Sequence, residues 1–217
     1  MALSKPTRHI AVMRLSAMGD VAMTVPVLRT LVKQYPDLKL TVISRPFFHP
    51  FFDGIPNVHF FAFDEKVRHS GFLGLLRLYR DLKRHHIDAF ADLHNVLRSK
   101  IIRALFRLDA KKTAAVDKGR AEKKALTREN NKIFKPLATM FERHASVFGQ
   151  LGFAIDLLHP VFPTRQQLDA QTADITGDKG HQKWIGIAPF AQYDSKVYPA
   201  DLMQKVIDQL AVNRDYK

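Results

Sequence analysis

Along the first 150 or so positions, short apolar runs alternate with longer stretches in which apolar residues recur at helical spacing. His9-Ile10-Ala11-Val12-Met13-Arg14-Leu15 predicts a short buried strand, and residues 38–43, 58–63 and 87–93 predict three more. A fifth, shorter one is expected at 113–116. After the first strand, Ser16-Ala17-Met18-Gly19-Asp20 reads as a loop. Val21, Val25, Leu28 and Val32 then fall on one helical face, and Pro26 predicts that this helix begins just before it or kinks there. Further helices are predicted over 71–85, with Phe72, Leu75, Leu76, Tyr79 and Leu82 apolar, over 97–106, and over 137–151. The stretch 111–135 reads as polar apart from its strand. Strands alternating with helices in this way predict a parallel, doubly wound α/β sheet.

The pattern loosens at residues 161–183, where Pro163, Gly177 and Gly180 predict a linker, with a short helix over 165–173. Lys183-Trp184-Ile185-Gly186-Ile187-Ala188-Pro189 restarts the strand-then-loop pattern, and a helix is expected over 200–212 with Leu202, Val206, Ile207 and Leu210 apolar. The expected organisation is an N-terminal domain over 1–160, a linker over 161–183, and the opening of a second domain over 184–217. Because an α/β domain takes about 100–150 residues, the second is expected to be truncated.

Composition narrows the partners. Among 217 residues there are 34 Lys and Arg against 21 Asp and Glu, a formal net charge of +13. Residues 77–135 hold 17 of those basic residues and 7 of the acids, so one region carries most of the excess. An anionic partner follows: a phosphorylated substrate, an anionic membrane surface or nucleic acid. Nucleic acid is disfavoured, since no recognition motif is present and aromatics are not interleaved with the cations. There is no cysteine, which excludes disulfides, thiolate metal sites and a cysteine nucleophile. No metal-ligand spacing is found. No stretch approaches the ~18–20 apolar residues of a membrane span, and the only unbroken apolar run near the start, Ile10 to Met13, argues against a secretory signal. Seven of the 16 Phe fall in residues 47–63, a cluster that reads as core or as a lipid-facing patch.

Ligands of doubly wound sheets bind beyond the carboxyl ends of the strands, which draws attention to the loop at 16–20. Its spacing is neither G-x-G-x-x-G nor a P-loop, disfavouring a dinucleotide or a Walker-type ATP site. Asp20 reads either as a carboxylate base facing a cleft or as a helix cap, the commoner role for Asp at such a place. In Gln192-Tyr193-Asp194-Ser195-Lys196-Val197-Tyr198-Pro199, Lys196 reads either as a charge for a diphosphate or as a solvated lysine ahead of a helix. Arg98, Lys100, Arg103 and Arg107 make the helix at 97–106 basic, as a solvated face or as an anion site.

Arg14-Leu15-Ser16-Ala17-Met18-Gly19-Asp20-Val21, followed by Thr24-Val25-Pro26-Val27-Leu28, resembles the N-terminal signature of glycosyltransferase family 9, the lipopolysaccharide heptosyltransferases. Ile185-Gly186-Ile187-Ala188-Pro189 and Ser195-Lys196-Val197-Tyr198-Pro199 resemble the family's glycine-containing strand-loop and its Ser-Lys-x-Trp-Pro element. Asp92-Leu93-His94-Asn95 is a weaker match to its Asp-x-Gln-Gly. Ala188 and Phe190 depart from the family's Asn-Pro-Gly loop, as His94-Asn95 depart from Gln-Gly. The resemblance implies a GT-B fold of two Rossmann-like domains and a metal-independent, inverting transfer of heptose from ADP-heptose to a lipid-linked, phosphorylated core oligosaccharide, with no cofactor. It implies Asp20 as general base and Lys196, beside Ser195, as the group that neutralises the departing ADP. Ser16, Met18, Gly19, His94, Asn95, Arg98 and Lys100 are the further expected substrate-binding residues. A cytoplasmic protein, peripheral at the inner membrane, is expected. The rival readings are transfer of another nucleotide sugar in envelope glycan synthesis and a non-catalytic anion- or glycolipid-binding module. A chain truncated in its donor domain is expected to lack transferase activity by itself.

Overall fold

The computed structural model describes residues 7–163, 168–177, 180–181, 183–191, 193–212 and 215. They fall into two compact units, Met1–Pro163 and Thr164–Lys217.

In the first unit, β1 (His9–Met13) runs into α1 (Met18–Ala22) and α2 (Val25–Gln34). Then come β2 (Lys39–Ser44), a 3-10 helix (Pro46–Phe51), β3 (Val58–Ala62), α3 (Gly71–Lys83) and β4 (Ala89–Asp92). α4 (Leu97–Leu108), β5 (Lys112–Ala115), α5 (Arg120–Thr127) and α6 (Met140–Gln150) complete the unit. All four strand pairings are parallel, in the order β3-β2-β1-β4-β5. The chain builds outward from β1 to β3 and then returns to the other side of β1. Loops leaving the carboxyl ends of β1 and β4 therefore diverge, and a crevice opens between them.

Side-chain alternation on β1 divides the core. Ile10 and Val12 face α2 and α6, packing with Val27, Leu28, Leu31, Val147 and Phe148. Ala11 and Met13 face α3 and α4, packing with Leu75, Leu78, Leu82, Ile102 and Phe106. Both faces of the central strand are thus covered by helices, as a parallel sheet requires. Most of the Phe cluster is core: Phe48, Phe52 and Phe63 are buried, while Phe47 is exposed.

Several expectations change. Met18, Gly19 and Asp20 form the first turn of α1, so the loop after β1 is shorter than predicted. Of the two outcomes expected at Pro26, the helix begins just before it: α2 starts at Val25, Pro26 sits in its first turn, where the missing N–H costs nothing, and Val21 belongs to the separate α1. α5 forms within the polar stretch 111–135; its face carries too few apolar residues for a periodicity signal.

In the second unit, α7 (Ala170–Thr176) and α8 (Ala200–Ala211) are helical. The helix expected at 165–173 falls partly outside the described residues. Among the described residues, 184–191 form no strand, and Lys183 N donates to Asp215 O at 2.7 Å. An apolar run becomes a strand only by pairing, which its own sequence does not supply. Among the described residues, no helix is long and apolar enough to cross a membrane.

Candidate functional site

The crevice is built from the residue following each strand. Arg14 continues β1: its N–H donates to Ile43 O at 3.2 Å, and its carbonyl accepts from Ser44 Oγ at 2.6 Å. This fixed backbone sends a nearly buried guanidinium across the switch point. There Nη1 donates to Leu93 O at 2.6 Å, and Nη2 forms an ion pair with Asp20. Burial lowers the Arg14 pKa, and Asp20 opposes that effect. Arg14 thereby couples the β1–α1 junction to the β4–α4 junction.

Asp20 occupies the third position of α1, whose N-cap is Ala17. Alanine has no side-chain acceptor, so only the reciprocal half of a capping box exists: Ala17 N–H donates to Asp20 Oδ2 at 3.4 Å. That bond is long, and Asp20 keeps 41% of its side chain exposed. The carboxylate is aimed by Arg14 more than by the helix end. Ser16 precedes it and Met18 is exposed beside it. A Cβ built on Gly19 meets no protein atom within 4 Å, so the surface beside Asp20 is open.

On β4, Asp92 is fully buried. Its Oδ1 accepts from the backbone N–H of His94 (3.1 Å) and Asn95 (2.6 Å), and its Oδ2 accepts from Arg103 Nη1 (3.2 Å). These bonds fold the loop tightly and place Asn95 at φ 46°, a left-handed conformation that Asn tolerates. Asn95 Nδ2 donates to Val116 O at 2.8 Å, tying the loop to the end of β5. His94 is half-buried. Burial first, then Arg14 and Lys118, push its imidazole pKa down to about 4, so the ring is neutral at physiological pH.

Cations ring the crevice. Arg45, after β2, and Arg98, on α4, both bond Glu65, after β3, at 3.0 and 2.9 Å. Lys100 lies one turn into α4. With Asn95, Asp117, Lys118, Arg120 and Ala121 it lines a cavity of about 150 Å³ beyond β4 and β5. Burial, then Arg14 and Arg120, lower the Lys118 pKa. Gly119, at φ 61°, caps α5, and a Cβ there would lie 2.4 Å from the Arg143 guanidinium. Arg143 in turn donates to Asp117 O at 3.3 Å and Glu122 at 2.6 Å, fixing the loop that carries Lys118. Behind the crevice, the fully buried His144 of α6 faces Arg14 and Asp20. Among the described residues, no group of three or more His, Asp or Glu is arranged to hold a metal ion.

The first unit therefore brings together Ser16, Met18, Gly19, Asp20, His94, Asn95, Arg98 and Lys100 at one end of its sheet. Ser195 and Lys196 belong to the second unit, in the 3-10 turn Asp194–Lys196, where the Lys196 ammonium lies 5.4 Å from the Tyr193 ring centroid. Sequence reading missed Lys118, Arg45, Glu65 and His144. Lys118 and Arg45 had a signal, since each lies two residues beyond the end of a predicted strand; His144 had none.

Residues 75–216 match the sequence profile of glycosyltransferase family 9 (heptosyltransferase). The lipopolysaccharide core heptosyltransferase OpsX of Haemophilus influenzae is 29% identical over 95 residues, 44% of this chain and 26% of OpsX. A glycosyl transferase family 9 structure from Veillonella parvula superimposes with a TM-score of 0.69 at 20% identity, over 96% of this chain and 61% of that one. The E. coli heptosyltransferase WaaC with ADP gives 0.55 at 20% identity, over 94% and 64% respectively. E. coli ADP-heptose lps heptosyltransferase II gives 0.57 at 18%, over 93% and 62%. At these identities the structural likeness is one of fold. The chain spans less than two thirds of these solved relatives.

Proposed function

The chain belongs to glycosyltransferase family 9, with an α/β fold of the GT-B type, and from that premise we propose that it serves the transfer of heptose from ADP-heptose to an anionic, lipid-linked oligosaccharide in lipopolysaccharide synthesis. The observation that carries this reading is Asp20: a half-open carboxylate at the switch point of the sheet, aimed by Arg14 and faced by open space at Gly19. In the proposed step Asp20 takes the proton of an acceptor hydroxyl while that oxygen attacks the anomeric carbon. The bond from that carbon to the ADP oxygen breaks, and its electron pair leaves with ADP. Lys196, with Ser195 beside it, neutralises the departing diphosphate. No cofactor or metal is required by this balance.

The Arg14 ion pair holds the Asp20 carboxylate in place, and a fixed base beside a bound hydroxyl gains from proximity. The cations at Lys100, Lys118 and Arg120 support an acceptor bearing phosphate, and the charge excess in residues 77–135 supports approach to an anionic membrane surface at the cytoplasmic face. The test is Asp20→Asn, made in the whole open reading frame that encodes this chain. Turnover should fall by about 10²-fold or more, with donor and acceptor binding retained. A variant that keeps near-native kcat removes Asp20 as base, and one that chiefly loses about 1 kcal/mol of stability assigns it to the helix end.

A further inference from the structure

The loop from β3 to α3 is fixed along its backbone. The Asp64 carboxylate accepts from the N–H groups of Lys66 (3.1 Å), Val67 (3.0 Å) and Arg68 (3.1 Å). His69 Nδ1 accepts from Asp64 N–H at 3.1 Å, and His69 N–H donates to Asp64 O at 2.8 Å. Arg68 makes two 2.9 Å bonds to Asp81 of α3. A Cβ on Gly74 would collide with the His69 backbone, so loop and helix meet without a gap. Yet this fixed corner holds Val67, Phe72 and Leu73 out in water, 78%, 63% and 68% exposed. Glu65, in the same loop, brings in two more apolar side chains. It bonds Arg45, two residues before the exposed Phe47, and Arg98, which follows the exposed Leu97. Connections after β2, β3 and β4 thus expose apolar residues together at the crevice end of the sheet. One such residue is ordinary; a group of them at one end marks a binding surface.

The charge around this corner selects the partner. Its carboxylates are all engaged: Asp64 with its own loop, Glu65 with two arginines, Asp81 with Arg68. Lys66 and Arg77 are exposed and take part in no ion pair among the described residues. Arg77 lies on the same face of α3 as Leu73, one turn or about 6 Å behind it. An apolar tip with cations one turn back matches the layering of an anionic bilayer, where such side chains sink about 5–10 Å below the headgroup boundary. A protein partner imposes no such order. We propose that the β3–α3 corner inserts Val67, Phe72 and Leu73 into the interface of an anionic lipid bilayer, with Lys66 and Arg77 among its headgroups. The mouth of the crevice is thereby held against the membrane. The inference deepens the reading of a lipid-linked acceptor, on which it rests only for why the crevice should face lipid. The charge excess in residues 77–135 draws the chain in from a distance; this corner gives the contact its depth and orientation.

The chain has no cysteine, so a single introduced thiol reports depth. Leu73→Cys and Leu108→Cys, each labelled with a polarity-sensitive fluorophore, place the label at the tip and at an exposed position at the opposite end of the sheet. The probes are vesicles of mixed phosphatidylglycerol and phosphatidylcholine, and vesicles of phosphatidylcholine alone. The Leu73→Cys label should shift to the blue on the phosphatidylglycerol vesicles, and the Leu108→Cys label should not. Part of the binding should survive salt that screens surface charge. Phe72→Ser combined with Leu73→Ser should weaken vesicle affinity by about tenfold and leave the thermal melt unchanged, because both side chains are exposed. No shift at Leu73→Cys, equal shifts at both positions, or unchanged affinity of the double variant overturns the proposal. So does a concentration-dependent dimer that the double variant abolishes, which would give this face to a second copy of the chain. Asp20→Asn should bind vesicles as the parent does. A failed general base therefore leaves this inference standing, and failed insertion leaves the Asp20 test untouched.

Discussion

The residues behind the crevice carry a cost that pH exposes. His144 is wholly buried, neither ring nitrogen has a hydrogen bond of ordinary geometry, and the Met23 carbonyl, Asp20 and Arg14 are the groups that face it. Burial first, then Arg14, push its pKa down to about 4. In the unfolded chain the same imidazole binds its proton near pH 6.5. The unfolded state therefore takes up the proton first as pH falls. Stability is unaffected above about pH 6.5 and declines from there to about pH 4, by roughly 3 kcal/mol at most. His94, also lowered to about 4, adds in the same direction, less so because it is half-open to water. His144→Phe keeps an aromatic ring in the site and removes one of the two titrations. Urea midpoints at pH 7 and pH 5 should differ less in that variant than in the parent. Equal differences would mean that His144 titrates normally and is not held neutral by its surroundings.

At the scale of elements, α4 shows how one basic face divides into separate tasks. Its period-3.6 pattern made the helix and its charge legible, but Arg98, Lys100, Arg103 and Arg107 looked alike. The fold separates them. Arg98 bonds Glu65, Arg107 Nε donates to Thr113 at 2.8 Å, and Arg103 is the partner of the buried Asp92. Lys100 faces the cavity. Arg103→Ala should thus destabilise the protein by about 3 kcal/mol, since it strips a buried carboxylate of its charged partner. Lys100→Ala should leave stability within about 0.5 kcal/mol and raise the KM for a phosphorylated acceptor severalfold, with the KM for the donor unchanged. Denaturant melts and two-substrate kinetics separate the two; similar profiles for both variants would contradict the division. The candidate site was legible where local pattern decides it: Asp20 closes the loop predicted after the first strand, and His94-Asn95 directly follow another predicted strand. Partners drawn from distant strands, such as Glu65 for Arg98 or Leu93 for Arg14, depend on strand order, which periodicity does not encode. The strand expected to open the strand-then-loop segment 183–189 did not form for the same reason, because pairing is not a property of one segment.

For the whole molecule, what matters is where apolar burial ends. Every buried apolar side chain among the described residues lies between Ile10 and Leu151, and α8 leaves Leu202 and Val206 more than a third exposed. The core of the first unit is nevertheless not closed at the end of α6. Phe153, Ile155 and Leu157 pack against it, with Phe153 set edge-on to Tyr35 at 5.1 Å. Tyr35 OH donates to Ala154 O at 2.9 Å, and Val161 N–H donates to Thr30 Oγ1 at 3.2 Å, so the segment after α6 is fastened along α2. Two truncations should then behave differently. Residues 1–163 keep every one of these contacts and should unfold cooperatively, within about 1 kcal/mol of the 217-residue chain. Residues 1–150 lose the buried Leu151, three apolar side chains from the core edge and both hydrogen bonds. At about 1–2 kcal/mol for each partly buried side chain, the loss approaches the whole stability of an ordinary domain. That fragment should lose its cooperative transition or bind a hydrophobic dye at neutral pH. If 1–163 fails in the same way, the second unit contributes to the fold of the first; if 1–150 melts as sharply as 1–163, the segment after α6 is not part of its core.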